Sequence, residues 1–90
     1  MADIQIEQKQ KTGNWVYVEG LGYGGSAKIF PEPSGFGIHN GRVSKLDLRN
    51  KDGEIVFNYD RGHDVDRIST ETLNEIISEL EAFAQNDLEL

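Results

Sequence analysis

The sequence contains no cysteine and no long apolar run. The lack of cysteine excludes a disulfide framework and any zinc site built on thiolates. The longest apolar runs are a few residues, too short to cross a membrane, and the first residues lack both the basic and the apolar region of a signal peptide. We therefore expect a soluble cytoplasmic protein with one domain over residues 1–90.

Basic residues are missing from the last quarter of the chain. Residues 69–90 carry six acids and no lysine or arginine, whereas residues 1–68 carry ten acids and nine bases. The net charge of −7 therefore belongs mostly to the C-terminal segment. Because nucleic-acid binding requires a basic face that neutralises phosphates, this distribution disfavours direct binding to nucleic acid.

Short β-branched and alternating segments predict strands between residues 3 and 59. Residues 3–9 alternate, and residues 15–18 are β-branched or aromatic throughout. The glycines of residues 20–25 are followed by a strand rather than a helix, so they predict a hairpin connection and not a phosphate loop. Residues 27–30 form a short strand that a proline ends, and residues 36–38 return to extended chain.

A turn at residues 50–53 predicts the clearest hairpin, because Asp52-Gly53 is a strong hairpin signal. Its strands cover residues 43–49 and 54–59. In the first strand Val43 is out of phase with the two leucines that follow, so either it starts on the other face or a bulge intervenes. In the second strand we expect one shared face for Ile55, Phe57 and Tyr59.

Apolar residues at helical spacing predict a helix over about residues 70–85, with Ser69 or Thr70 as its N-cap. The apolar stripe consists of Leu73, Ile76, Ile77, Leu80 and Phe83. The stripe holds a large fraction of the available core, so the helix must lie across the sheet. The predicted fold is α+β: an antiparallel sheet of four to five strands, a connection at 60–68, and one long C-terminal helix packed across one face.

The connection holds the one cluster with metal-ligand chemistry, formed by Asp60, His63, Asp64 and Asp66. Imidazole and carboxylates can hold a divalent cation, but the spacing matches neither a calcium loop nor a paired-histidine helix. We favour the structural interpretation, in which the acids of this cluster make turn hydrogen bonds and pair with neighbouring arginines. No nucleophile stands in a triad context, so we favour a non-enzymatic protein and expect no cofactor.

Two loops leave the same end of the predicted hairpin and bring charged residues together. The interaction candidates there are Arg42, Lys45, Tyr59, Asp60, Arg61 and Asp64. They form either a recognition surface for a polar partner or a salt-bridged network that locks the sheet end to the helix N-terminus. We favour the network, because arginine and aspartate numbers balance locally.

The predicted helix carries a second candidate surface, formed by Glu71, Glu75 and Glu79. These residues are spaced i,i+4, which stacks like charges without a lysine to offset them. Such a stripe is typical of a solvated face, and it also fits docking to a basic protein.

Two dense motifs carry a resemblance to a known family. Gly-Arg-Val-Ser-Lys-Leu (41–46) and Tyr-Asp-Arg-Gly-His-Asp (59–64), with residues 30–38 and more loosely 15–20, resemble a domain of unknown function carried by Gram-positive bacteria, their plasmids and phages. His63 stands where that family usually has tryptophan, and His39-Asn40 where Asn-Gly is common. The resemblance implies a fold and a context but no established activity.

These features lead to two functional hypotheses. The first is a non-enzymatic interaction or accessory protein of a bacterium, phage or mobile element, which binds an unidentified, basic protein partner through the acidic helix or the Arg42/Arg61 loops. The alternative is a small ligand- or metal-binding domain, or a hydrolase, that uses residues 59–64. Residues 15–18 are apolar on both faces, and one helix covers only one of them. The residues 20–25 loop or a second copy must cover the other, and we favour a homodimer.

Overall fold

A computed structural model describes residues 4–35, 37–60 and 63–88, with the backbone alone for residues 39 and 63–65. The described chain forms strands and one helix in the order β1 (Ile4–Gln8), β2 (Trp15–Gly20), β3 (Tyr23–Ile29), β4 (Val43–Arg49), β5 (Ile55–Asp60), β6 (His63–Asp66) and α1 (Thr70–Asn86). A 3-10 turn (Ile38–Asn40) precedes β4.

The strands form one antiparallel sheet in which each pairs with its sequence neighbours, in the order β1 to β6. The helix α1 lies across one face of this sheet and contacts β1, β3 and β4. The prediction of an antiparallel sheet covered by one C-terminal helix is confirmed. The sheet has one strand more than expected, because residues 63–66 of the predicted connection pair with β5.

The core lies between α1 and the inner face of the sheet, the face that the helix covers. The helix contributes Leu73, Ile76, Ile77 and Leu80 as predicted, with Ala84 buried and Phe83 half-buried beside them. The sheet contributes Val16, Val18, Ala27, Ile29, Val43, Leu46, Leu48, Val56 and Phe57. Within the described ranges, no helix has the length and apolar character needed to cross a membrane.

Bulges explain two departures from strict alternation. Ile29 pairs with Val43 and Lys28 with Lys45, so Ser44 is an extra residue that brings Val43 back to the inner face, where it is fully buried. The bulge interpretation of Val43 is therefore correct.

The second bulge corrects the prediction that Ile55 shares a face with Phe57 and Tyr59. Leu48 pairs with Phe57 but Arg49 pairs with Ile55, so one extra residue lies in β5. Phe57 is fully buried and Tyr59 packs against the core, whereas Ile55 is 36% exposed. The extra residue shifts the strand's phase, which the alternation of side chains alone does not reveal.

The residues 20–25 segment is a hairpin, as predicted, but it is more regular than a glycine-rich loop. The turn consists of Leu21 and Gly22 alone, both at positive φ, and β3 starts at Tyr23 rather than at residue 27. The expectation of extended chain at residues 36–38 is wrong at Ile38, which starts the 3-10 turn; residue 36 lies outside the described residues.

Candidate functional site

Arg42, placed by sequence in a charged loop patch, is bonded to the helix. Its backbone N–H donates to Glu81 Oε2 at 2.6 Å, and its Nη1 donates to Glu81 Oε1 at 3.1 Å. The backbone N–H of Val43 donates to the same carboxylate at 3.3 Å, and Arg42 Nε donates to the carbonyl of Pro31. Arg42 therefore ties the loop before β4 to the C-terminal half of α1.

Glycines make room for this link. A Cβ at Gly41 would meet the Glu81 carboxylate and the carbonyl of Ile38, and a Cβ at Gly37 would meet the backbone of Gly41. The Gly37-Ile-His-Asn-Gly-Arg-Val stretch thus folds into a close-packed cradle for one helix carboxylate. Glu81 was not among the sequence candidates, because its partners are 39 and 38 residues away along the chain.

The other predicted loop residues are only partly brought together. Lys45 pairs with Asp60 across the β4–β5 hairpin, with Nζ 3.6 Å from Oδ1. Tyr59 lies on the inner face against the core. Arg61 and the side chain of Asp64 lie outside the described residues, so the convergence of Arg42 and Arg61 and the predicted link to the helix N-terminus stay predictions. Among the described residues, Arg42 joins the sheet to the C-terminal half of α1.

The strand register separates Asp60 from Asp66, the two metal-ligand candidates whose side chains are described. Asp60 pairs with Lys45 on the face opposite the helix, whereas Asp66 pairs with Phe57 of the inner face. Cross-strand partners share a face, so these two carboxylates lie on opposite faces of the sheet. The side chains of His63 and Asp64 fall outside the description. Among the described side chains, no three histidine, aspartate or glutamate residues cluster as metal ligands.

The acidic helix face, formed by Glu71, Glu75 and Glu79, lies along α1 as predicted. Glu71 and Glu75 are exposed and Glu79 is half-buried. The ion pairs found between described residues join Arg42 to Glu81 and Lys45 to Asp60, and none involves the acidic helix face. Within the described part of the chain, no ion pair therefore compensates its charge.

Sequence analysis missed a second charged surface, on the outer face of the sheet, which faces away from the helix. The strand register aligns Trp15 with Lys28, Lys28 with Lys45 and Lys45 with Asp60. Lys9 extends the row beyond Trp15, to whose carbonyl its N–H donates. We call Lys9, Trp15, Lys28 and Lys45 the lysine row.

The lysine row surrounds exposed aromatic rings. Lys9 Nζ lies 5.1 Å from the Trp15 ring centroid and 5.0 Å from that of Tyr17, and Lys28 Nζ lies 5.9 Å from the Trp15 ring. These are cation–π distances. Trp15 is 41% and Tyr17 54% exposed. The turn at residues 21–22 leaves them uncovered, so the outer face presents basic and aromatic groups together.

Two clefts among the described residues border the surfaces described above. A cleft of about 490 Å³ lies where α1 meets the 3-10 turn, but its charged residue, Glu81, is already bonded to Arg42. Another, of about 300 Å³, lies beside the β1–β2 turn against Lys9 and Trp15. The second cleft is thus continuous with the lysine row.

The fold and surfaces define a small α+β domain: a six-stranded antiparallel meander with one helix on its inner face and charged surfaces on both sides. The chain belongs to the family described as Domain of unknown function (DUF7678), which matches residues 9–82. Arg42, Glu81 and the lysine row all fall inside this match. No curated protein and no solved structure matches the chain.

Proposed function

We propose that this protein is a non-enzymatic interaction module that binds a basic protein surface through the acidic helix face. The observation that carries the proposal is the i,i+4 series of exposed Glu71, exposed Glu75 and half-buried Glu79, which no ion pair among the described residues compensates. Stacked like charges cost the helix a few tenths of a kcal/mol per pair. We interpret this uncompensated charge as a surface kept for binding.

The charge distribution along the chain also supports a basic protein as the partner. Residues 69–90 carry six acids and no base, so a basic partner meets no like charge on this segment. Complementary potentials steer association and set specificity. The motif resemblance to proteins of Gram-positive bacteria, plasmids and phages favours a bacterial host protein as the partner, including one that itself binds nucleic acid.

Affinity capture from a bacterial lysate with matched variants tests the proposal. The test variant combines Glu71→Gln, Glu75→Gln and Glu79→Gln, and the control combines Glu32→Gln, Asp52→Asn and Glu54→Gln, which removes the same charge from exposed loops. We expect the native chain and the control to recover the same basic proteins, and the helix variant to lose them. Binding of one recovered protein should weaken on the order of tenfold, with a steep salt dependence.

Two outcomes contradict the proposal. Equal loss of partners in both variants would show that net charge alone drives the capture. Full retention of partners by the helix variant would show that the acidic helix face is not the docking site. Circular dichroism of each variant verifies that the fold is retained.

A further inference from the structure

The outer face of the sheet carries two adjacent rows of opposite charge. The lysine row holds Lys9, Trp15, Lys28 and Lys45. The next row along the strands follows from the same register, in which Glu7 pairs with Tyr17, Tyr17 with Ser26, Ser26 with Asp47 and Asp47 with Asn58. We call Glu7, Tyr17, Ser26 and Asp47 the acidic row. The strands β2 to β4 each contribute one residue to each row, and Glu7 lies in β1 with Lys9 just beyond the end of that strand.

The two rows are complementary in charge at two of their four positions. Lys9 is matched by Glu7 and Lys45 by Asp47, whereas Trp15 is matched by Tyr17 and Lys28 by Ser26. A two-fold axis that runs across the strands, between the rows and parallel to the sheet, places the lysine row of one chain over the acidic row of another. Lys9 then meets the partner's Glu7, Trp15 meets the partner's Tyr17, and Lys45 meets the partner's Asp47. A two-fold interface requires this self-complementarity.

In the monomer Lys28 and Lys45 stand directly opposite each other on neighbouring strands, an arrangement of like charges that destabilises a sheet. The pairing of Lys45 with Asp60 at 3.6 Å offsets part of this repulsion. Two large aromatic rings beside them are about half exposed. The partner's Asp47 adds an opposite charge at Lys45, and facing rings remove apolar surface from water.

We propose that the protein forms a two-fold dimer through the outer face, with the lysine row of each chain on the acidic row of the other. Face-to-face sheets pack about 10 Å apart, a gap that tryptophan, tyrosine and lysine side chains span. Five strand spacings and a strand length of about 20 Å give a face of roughly 500 Å² in plan. This lies at the small end of specific interfaces, so we expect a weak dimer whose population rises with protein concentration.

The proposed dimer has a consequence for binding, although it does not rest on the proposed function. Each helix lies on the inner face of its sheet, so the two helices lie on opposite outsides of the dimer. The acidic helix faces then point away from each other. A dimer of this form presents two equal docking surfaces and gains avidity toward a partner with repeated basic sites.

Charge-reversed variants that are mixed with each other provide the test. Lys45→Asp places acid against the partner's Asp47, and Asp47→Lys places base against the partner's Lys45, so each variant alone should dimerise at least tenfold more weakly than the native chain. A one-to-one mixture of the two variants restores opposite charges at both contacts, so dimers should return. Glu54→Lys, which makes the same charge change as Asp47→Lys at the exposed β4–β5 turn, should leave dimerisation unchanged.

Sedimentation velocity measures the species, and fluorescence of Trp15, the chain's one tryptophan, reports on the interface by a blue shift as concentration rises. A native chain that is still monomeric at a concentration of about 200 μM overturns the proposal. So does a dimer that is indifferent to the 45/47 variants, or variants that fail to recover on mixing while circular dichroism shows them folded. A monomer whose Trp15 emission is quenched by a single-stranded oligonucleotide would overturn it too, and would assign the lysine row to an anionic polymer.

Discussion

The carboxylate of Glu81 accepts both the backbone N–H and the guanidinium Nη1 of Arg42, at 2.6 and 3.1 Å. Each of the two side chains is about three-quarters buried. The pair joins the helix to the loop that enters β4, and the N–H of Val43 completes the set. A charged acceptor with three donors, shielded from water on most sides, is stronger than a surface ion pair.

This relationship changes how the Gly-Arg-Val-Ser-Lys-Leu motif is understood. Its glycine makes space for a carboxylate, its arginine binds that carboxylate, and its valine supplies both an N–H donor and a buried side chain. The first half of the motif is therefore explained by folding. Its lysine, Lys45, lies on the outer face instead, within the lysine row.

Replacing Glu81 should destabilise the protein more than replacing any exposed glutamate of the same helix. Glu81→Ala leaves the Arg42 and Val43 donors without their carboxylate, so we expect a loss of about 2–3 kcal/mol in the free energy of unfolding. Glu75→Ala, at an exposed position of α1, should change it by less than about 0.5 kcal/mol. Urea unfolding followed by circular dichroism measures both. Equal effects would show that the link contributes nothing to stability.

Adding one methyl group at Gly41 should disturb the same link from the other side. The Cβ of Gly41→Ala would press on the Glu81 carboxylate and on the Ile38 carbonyl, so we expect a loss of about 1–3 kcal/mol. Gly35→Ala serves as the control, because a Cβ there meets nothing within 4 Å. Thermal unfolding of both variants checks the difference. A Gly41→Ala protein as stable as the native chain would mean that the cradle widens without cost.

The N-cap of α1 should be worth about 1 kcal/mol. Ser69 Oγ accepts the N–H of Thr72 at 3.3 Å and donates to Thr72 Oγ1 at 2.8 Å, so Ser69→Ala removes both bonds. Ser78→Ala is the matched change within the same helix, at an exposed position where alanine's higher helix propensity should be neutral or slightly stabilising. Chemical denaturation should separate the two variants, and the capping assignment would fail if they unfold at the same urea concentration.

The β2–β3 turn offers a stabilising change. Leu21 has φ 56° and Gly22 has φ 89°, which are the angles of a type I′ turn, and leucine is an unfavourable residue at positive φ. Leu21→Asn creates the Asn-Gly pair that this turn prefers, so we expect a gain of about 0.5–1 kcal/mol. Leu21→Ala is the control, because it removes the exposed leucine side chain but leaves a residue that is also unfavourable at positive φ. A melting temperature that rises equally in both variants would contradict the turn argument.

Local patterns predicted the parts of the fold that neighbouring residues determine. The spacing of Leu73, Ile76, Ile77 and Leu80 identified the buried stripe of α1, and the Asp52-Gly53 turn identified the β4–β5 hairpin. In both, the groups that interact lie within a few residues of each other. The acidic helix face was visible for the same reason, because i,i+4 neighbours can be read directly from the chain.

The bulges and β6 were harder to predict from sequence, because which face a side chain occupies depends on the pairing with the neighbouring strand. One extra residue at Ser44 or in β5 reverses every side chain beyond it, and the sequence left this choice open at Val43 and misplaced Ile55. The residues 63–66 strand carries charged groups that are uncommon in strands. It pairs because β5 offers it a free edge.

What the sequence by itself determined is the set of elements: an apolar-striped helix with a serine cap, short strands joined by recognisable turns, and a C-terminal segment of one charge. Only the tertiary structure decided what those elements bring together. Arg42 reaches Glu81 because the helix crosses the sheet beside the 3-10 turn, and Lys9, Lys28 and Lys45 line up because three strand pairings have one particular register. Both arrangements arise from contacts between residues far apart in the chain, and such contacts are set by the packing of the whole core rather than by any local preference.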